Sequence, residues 1–462
     1  MAREEEATGI KKPGIIYRAF RTYIRFVHNK MYYRNTYRLN VGNIPAEGTP
    51  LLIVSNHQNC MNDPLGILMT LRDRKPNFIT RADIFSWHPL INAFLRAIGL
   101  LPAFRIDFEG EEALGKNEMT FRMTERELLS GRTIMMFPEA GHQDKHWLKE
   151  FSLGYAKLAF EAAEIGDFQK DIWILPACNH YSDYFHIQEQ FLVKFGTPIS
   201  IRPYYELYRT KPRTAQREVN RLVRKQIEDL MLDIRDLENY RAIDFIRDTY
   251  GKKYALSHQF NPKQLPDKLL SDRALVANLA QAKAENEPAV REIYQDAITL
   301  KDGIRELKTD DSFFEHPLSW GIIAVRMLLF IALFPLWIFS LWPNALNFIA
   351  PALVLRRMTD KMFTGTFLLA LSVLVTIPLF YTLTFVLAWI YINVWVALIY
   401  LALLPALGLF AWYYRKYFLE TLQAIRYRMK LKTEKLQILK ELRASIYSRL
   451  DQILSGKEKN NE

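Results

Sequence analysis

The sequence predicts an α/β domain, a central mixed sheet flanked by helices, followed by a helical segment and a C-terminal helical membrane region. Three observations predict it. Between residues 50 and 200 short apolar runs alternate with helical stretches. From about Tyr204 to Phe314 charged helical sequence replaces that alternation, and from Trp320 to Phe410 apolar residues crowd into long runs. A chain of 462 residues exceeds one ordinary core. The expected divisions are a basic amphipathic membrane-associating segment at 1–45, the α/β domain at 46–203, a helical insert or subdomain at 204–316, a transmembrane or re-entrant region at 317–413 and a C-terminal basic amphipathic helix at 414–462.

Taken in order, the first element is basic. Between Lys11 and Arg38 lie Lys12, Arg18, Arg21, Arg25, Lys30 and Arg34 with no acid among them. Tyr17, Phe20, Ile24, Val27 and Met31 recur at helical spacing, which predicts a helix lying on an anionic membrane surface; packing on its own domain is the alternative. Next, "PLLIVS", "NFIT", "TIMMF", "DIWILPAC" and "FLVKFG" read as strands, and "DPLGILMTLR" and "FSLGYAKLAFEAAEIG" as helices. The segment "AQREVNRLVRKQIEDLMLDIRDLENYRAIDFI" marks the helical insert.

Of the apolar runs, "IIAVRMLLFIALFPLWIFSLW" and "FLLALSVLVTIPLFYTLTFVLAWI" exceed the roughly 20 residues that a spanning helix needs, and "WVALIYLALLPALGLFAW" follows closely. The flanks "LRRMTDK" and "RKYFLETLQAIRYRMKLK" are basic, which places both on the cytoplasmic side, with a hairpin of residues 364–387 and 392–412 between them. The piece "PNALNFIAPALVL" is short for a full crossing, so a re-entrant or shallow hairpin is expected, with three full crossings as the alternative. In the last helix Leu439, Leu442, Ile446, Leu450 and Ile453 form a brief heptad-like stripe.

Composition narrows the function. The net charge of +11 comes with no nucleic-acid recognition module, so membrane lipids are the expected partner and nucleic acid is not. Cys60 and Cys178 stand far apart, which argues against a disulfide framework or a cysteine zinc site. His142 and His146 lack the intervening glutamate of a zinc-protease helix, so no metal is expected. Ser55 lacks a G-x-S-x-G elbow. The N-terminus shows no secretory signal, and the catalytic part is expected to face a reducing cytoplasm.

Chemistry points to "SNHQNCMNDP", where His57 and Asp63 follow an apolar strand. Asp63-Pro64 alone would serve as an ordinary helix start. A loop folding back would instead let the carboxylate orient the imidazole as a general base. Three later stretches accompany it: "GLLPAFRI" with Arg105, "MMFPEAGHQ" with Glu139, Gly141 and His142, and "WILPACNH" with Pro176.

In this order the four blocks resemble those of the glycerophospholipid acyltransferases, over about residues 50–198. The resemblance implies acyl transfer from an acyl-CoA or acyl-ACP thioester to a glycerophosphate or lysophospholipid hydroxyl, with His57 and Asp63 catalytic and no cofactor. It implies that Arg105 binds acceptor phosphate and that Glu139 organises the acceptor site. Gly141 and neighbouring amides are expected to line the same pocket, His142 to stand in partly for the family's third-block arginine, and Arg81 in "FITRADIF" is a further phosphate candidate. Two departures stand out. Five residues, "QNCMN", separate His57 from Asp63 where most members have four, a spacing found in glycerol-3-phosphate acyltransferase relatives. The third block reads FPEAGH rather than FPEG followed by threonine and arginine. Glycerol 3-phosphate is therefore the expected acceptor, with lysophosphatidate as the alternative and a catalytically silent lipid-binding protein as the other class.

Overall fold

A computed structural model describes residues 13–71, 74–86, 88–103, 112–139, 141–354 and 362–455. The chain forms two compact units. The first comprises residues 1–233 and 358–369, the second residues 234–357 and 370–462.

The first unit is built on an eight-stranded mixed sheet: β1 (Tyr33–Leu39), β2 (Leu51–Ser55), β3 (Asn77–Arg81), β4 (Leu100–Ala103), β5 (Thr133–Met136), β6 (Trp173–Tyr181), β7 (Glu189–Phe195) and β8 (Ile199–Ser200). Their order is β1-β7-β6-β2-β5-β3-β4, with β8 on β6. From β6 to β4 the main path is parallel, and β6 turns antiparallel only to β7 and β8. All five expected strands form. The central one, β2, has Leu51, Leu52, Ile53 and Val54 fully buried, as a strand covered on both faces requires.

The helices of this unit are α1 (Ile15–Phe26), α2 (Asn62–Leu68), α3 (Pro89–Ala97), α4 (Glu112–Leu129), α5 (Gly154–Ile165), α6 (Tyr205–Thr210) and α7 (Pro212–Leu230). Two expected boundaries shift. Residue 45 does not separate a membrane segment from the sheet, because Tyr33–Leu39 is an edge strand paired in parallel with β7. Residue 203 does not end the α/β unit either: Ala215, Val219, Val223, Ile227 and Leu230 give α7 a stripe that joins the same buried cluster as Leu52, Val54 and Ile174. In α1, Arg21 is buried and donates to the Leu68, Leu71 and Arg74 carbonyls, satisfying acceptors at the end of α2. This arginine serves its own domain, while Arg18 and Arg25 remain exposed.

The second unit contains α8 (Tyr240–Thr249), α9 (Gly251–Ser257), α10 (Leu265–Glu285) and α11 (Glu287–Glu306). Three of its stretches are helical, long and apolar enough to cross a membrane: Trp320–Ala350, Phe363–Tyr391 and Val394–Lys430. The second begins in the first unit. The C-terminal helix Glu434–Ser455 buries Leu439, Ile446 and Leu450 within the unit, and Leu439 fits against Gly303 of α11. Its heptad-like stripe thus closes an intramolecular helix bundle. The basic loop "LRRMTDK" lies outside the described residues.

Candidate active site

Parallel strands converge their C-terminal ends on one edge, the usual place for ligands in such sheets. Val54 of β2 pairs with Met136 of β5 and with Pro176 of β6. The loops after these strands therefore start side by side, which brings "SNH" and "FPEAGH" together from 80 residues apart in sequence.

After β2 the chain makes a tight loop and enters α2. Asp63 is fully buried, and its carboxylate turns back into that loop. Oδ2 accepts from His57 Nδ1 at 2.8 Å and from the Gln58 and Asn59 backbone N–H groups at 2.7 Å each. Oδ1 accepts from the Tyr181 hydroxyl at 2.6 Å. Asp63 is thus the second residue of α2 and not its N-cap. Because the carboxylate offers only acceptors, Nδ1 carries the proton and Nε2 is left with its lone pair. The imidazole is 20 % exposed, and among the described residues Nε2 makes no hydrogen bond. The loop passes through Cys60 at φ 44°, a left-handed conformation costing about 1–2 kcal/mol for a residue with a Cβ.

Glu139 ties the first and third blocks. Its Oε1 accepts from His57 N–H at 2.8 Å and its Oε2 from Lys149 N–H at 2.9 Å. Burial pushes its carboxyl above the ordinary range, while these two N–H groups and His57 pull it back. Phe137 packs its ring 4.7 Å from that of His57. His142 stands edge-on to His57 at 5.6 Å, and Phe363 edge-on to His142 at 5.0 Å. A Cβ on Gly141 would lie 3.6 Å from Lys149 Nζ, which itself donates to the His142 carbonyl at 3.2 Å. Asn56 and Asn179 exchange hydrogen bonds at 2.8 and 2.9 Å, joining the loop to β6.

The expected residues divide accordingly. His57, Asp63, Glu139, Gly141 and His142 come together. The backbone of Arg81 ends β3 opposite Ala103 of β4, on the same edge of the sheet. Arg105 lies outside the described residues. Sequence reasoning missed Tyr181, Lys149 and Phe363; the "FPEAGH" block with its altered cation was the one signal for seeking a replacement such as Lys149. Among the described residues no group of three or more His, Cys, Asp or Glu could hold a metal ion.

Sheet and loop define an α/β protein with a carboxylate-oriented imidazole at the C-terminal edge of its parallel strands. Residues 27–179, about a third of the chain, match the family model described as Acyltransferase, a likeness over the same stretch that holds the four sequence blocks. Among solved structures, the 1-acyl-sn-glycerophosphate (LPA) acyltransferase of Thermotoga maritima is similar at 15% sequence identity and a TM-score of 0.35, over 46% of this chain and 79% of that chain. No curated protein matches the chain.

Proposed function

We propose that the chain is a membrane-associated O-acyltransferase that moves a fatty acyl group from an acyl-CoA or acyl-ACP thioester to glycerol 3-phosphate. The observation carrying this reading is the buried Asp63 carboxylate, held by three other donors and set 2.8 Å from His57 Nδ1. His57 Nε2 takes the acceptor hydroxyl proton as the oxygen attacks the thioester carbonyl. Asp63 stabilises the imidazolium that forms. The carbon–sulfur bond then breaks, and the departing thiolate recovers a proton. General-base assistance of this kind is worth about 10²–10⁴ in rate, and the rest comes from positioning.

The phosphate of the acceptor is assigned to Arg105, Arg81, His142 and the Gly141 turn, with Lys149, which donates to the His142 carbonyl, as a further cation. Glu139 acts as the tie that keeps the third-block residues next to His57. The five-residue spacing between His57 and Asp63 favours glycerol 3-phosphate. A lysophosphatidate acceptor is the second reading, favoured by Met61, exposed in the loop, and by Phe363 beside His142. The basic flanks of the apolar helices assign the site to the cytoplasmic face.

Purified protein assayed with labelled acyl thioester and each acceptor tests the reading. Acylation of glycerol 3-phosphate, reduced about 10²–10⁴-fold in His57→Ala and in Asp63→Asn, is the expected outcome. Acylation of lysophosphatidate alone selects the second reading. Lipid binding without acyl transfer to either would show a silent protein and end both.

A further inference from the structure

The loop that carries His57 is completed from the far end of the sequence. Residues 358–369 belong to the same compact unit as the sheet, and the helix Phe363–Leu371 opens there. Its Thr366 Oγ1 accepts the Met61 N–H at 2.9 Å, across 305 positions of sequence. One turn earlier, the Met362 carbonyl accepts from Cys60 Sγ at 3.5 Å. Gly365 allows this approach: a Cβ there would lie 2.7 Å from the Tyr32 hydroxyl and 2.9 Å from Asn62 Nδ2. On its other side the same turn sets Phe363 edge-on to His142, which is edge-on to His57.

These contacts bracket the imidazole. Cys60, at φ 44°, is the strained point of the loop, and such a conformation persists only where its surroundings over-determine it. The Met61 N–H follows directly, two residues before Asp63. Its acceptor comes from Thr366, so one hydroxyl fixes the exit of the strained turn. The ring of Phe363 fixes the histidine that flanks His57 on the other side. None of these partners falls within the family-matched residues 27–179.

We propose that Phe363 and Thr366 are positioning residues for acyl transfer: the first turn of an apolar helix holds the His57–Asp63 loop and His142 in register. The proposal rests on the acyltransfer reading above. Neither residue transfers a proton or an acyl group. Their effect therefore falls on kcat, since a misplacement of about 1 Å can cost about 10²-fold, with no change in KM from Thr366 and a rise in acceptor KM from Phe363 only through His142.

Full-length Thr366→Val, Thr366→Ser and Phe363→Ala proteins test this by steady-state kinetics and thermal melting. Expected are kcat values about ten- to hundredfold lower for Thr366→Val and Phe363→Ala, KM values within about twofold for Thr366→Val, and recovery of most kcat in Thr366→Ser. In a double-mutant cycle, Phe363→Ala should cost less in a His142→Ala background. Unchanged kcat in folded variants, a Thr366→Ser as slow as Thr366→Val, or a loss confined to KM overturns the proposal. Should Phe363→Ala unfold, Phe363→Leu removes the ring edge with less lost volume and carries the same comparison. A wild-type protein inactive on every glycerophosphate acceptor defeats the acyltransfer reading itself; an active wild type with unaffected variants defeats this inference alone.

Discussion

A single carboxylate organises the candidate site. Asp63 orients an imidazole, closes a loop by taking two backbone N–H groups, and receives the hydroxyl of Tyr181. The sequence showed His57, Asp63 and Glu139 because each follows an apolar strand within a short motif. Tyr181 was not legible: it ends β6, 118 positions from Asp63, and only the antiparallel turn of the sheet brings it there. Lys149 was missed because no motif marks it and part of its placement comes from Arg224, 75 positions away. Its N–H is held by Glu139 and its carbonyl by Arg224 at 2.6 Å, so its backbone is clamped from both sides while Nζ reaches the His142 carbonyl. Among the described residues no carboxylate pairs with that ammonium. Lys149→Met is expected to raise the KM for glycerol 3-phosphate about ten- to hundredfold, the worth of one charged hydrogen bond, with Lys149→Arg retaining most of the affinity. Measuring KM for each variant, with phosphate-free glycerol as the comparison acceptor, checks this.

Among the elements, those with plain apolar runs were legible and those with polar alternation were not. β2 and β5 read as strands because their residues are buried on both faces. β1 did not, because "YRNTYRL" exposes or half-exposes all but its first residue and sits in a basic stretch with helical spacing. Helix pairs also hold charge that no local pattern announces. Glu125 of α4 is buried beside Glu161 of α5, and burial first, then the neighbouring carboxylate, pushes its pKa up to about 7. The folded protein therefore keeps a proton that the unfolded chain gives up near the ordinary value of 4.5. Since the native state binds more protons in this window, stability should fall as pH rises from about 4.5 through about 7. Urea midpoints across that range should show the slope in the wild type and a weaker one in Glu125→Gln.

The whole molecule combines a sheet unit with a helical unit that carries the apolar stretches. The helical unit has its own buried anchor. Arg247 of α8 pairs with Asp272 of α10 at 3.0 Å, both buried, and Lys268 joins Asp272 at 2.8 Å. Asp244 and Asp248 also pair with Arg247, at 2.9 and 2.7 Å, so Asp272→Ala leaves the guanidinium partly compensated and should lose about 1–3 kcal/mol of stability, read as a lowered unfolding midpoint of this unit. What the sequence by itself determined is whatever is written in nearest neighbours: alternation, apolar run length, net charge and the short motifs with His57, Asp63 and Glu139. Only the tertiary structure decided that residues 33–39 join the sheet, that α7 closes the first core, and that Phe363 and Thr366 reach the His57–Asp63 loop. The physical reason is range. Periodicity and motif chemistry act over a few residues, whereas burial and hydrogen-bond satisfaction are settled by whichever distant groups the completed fold brings within reach.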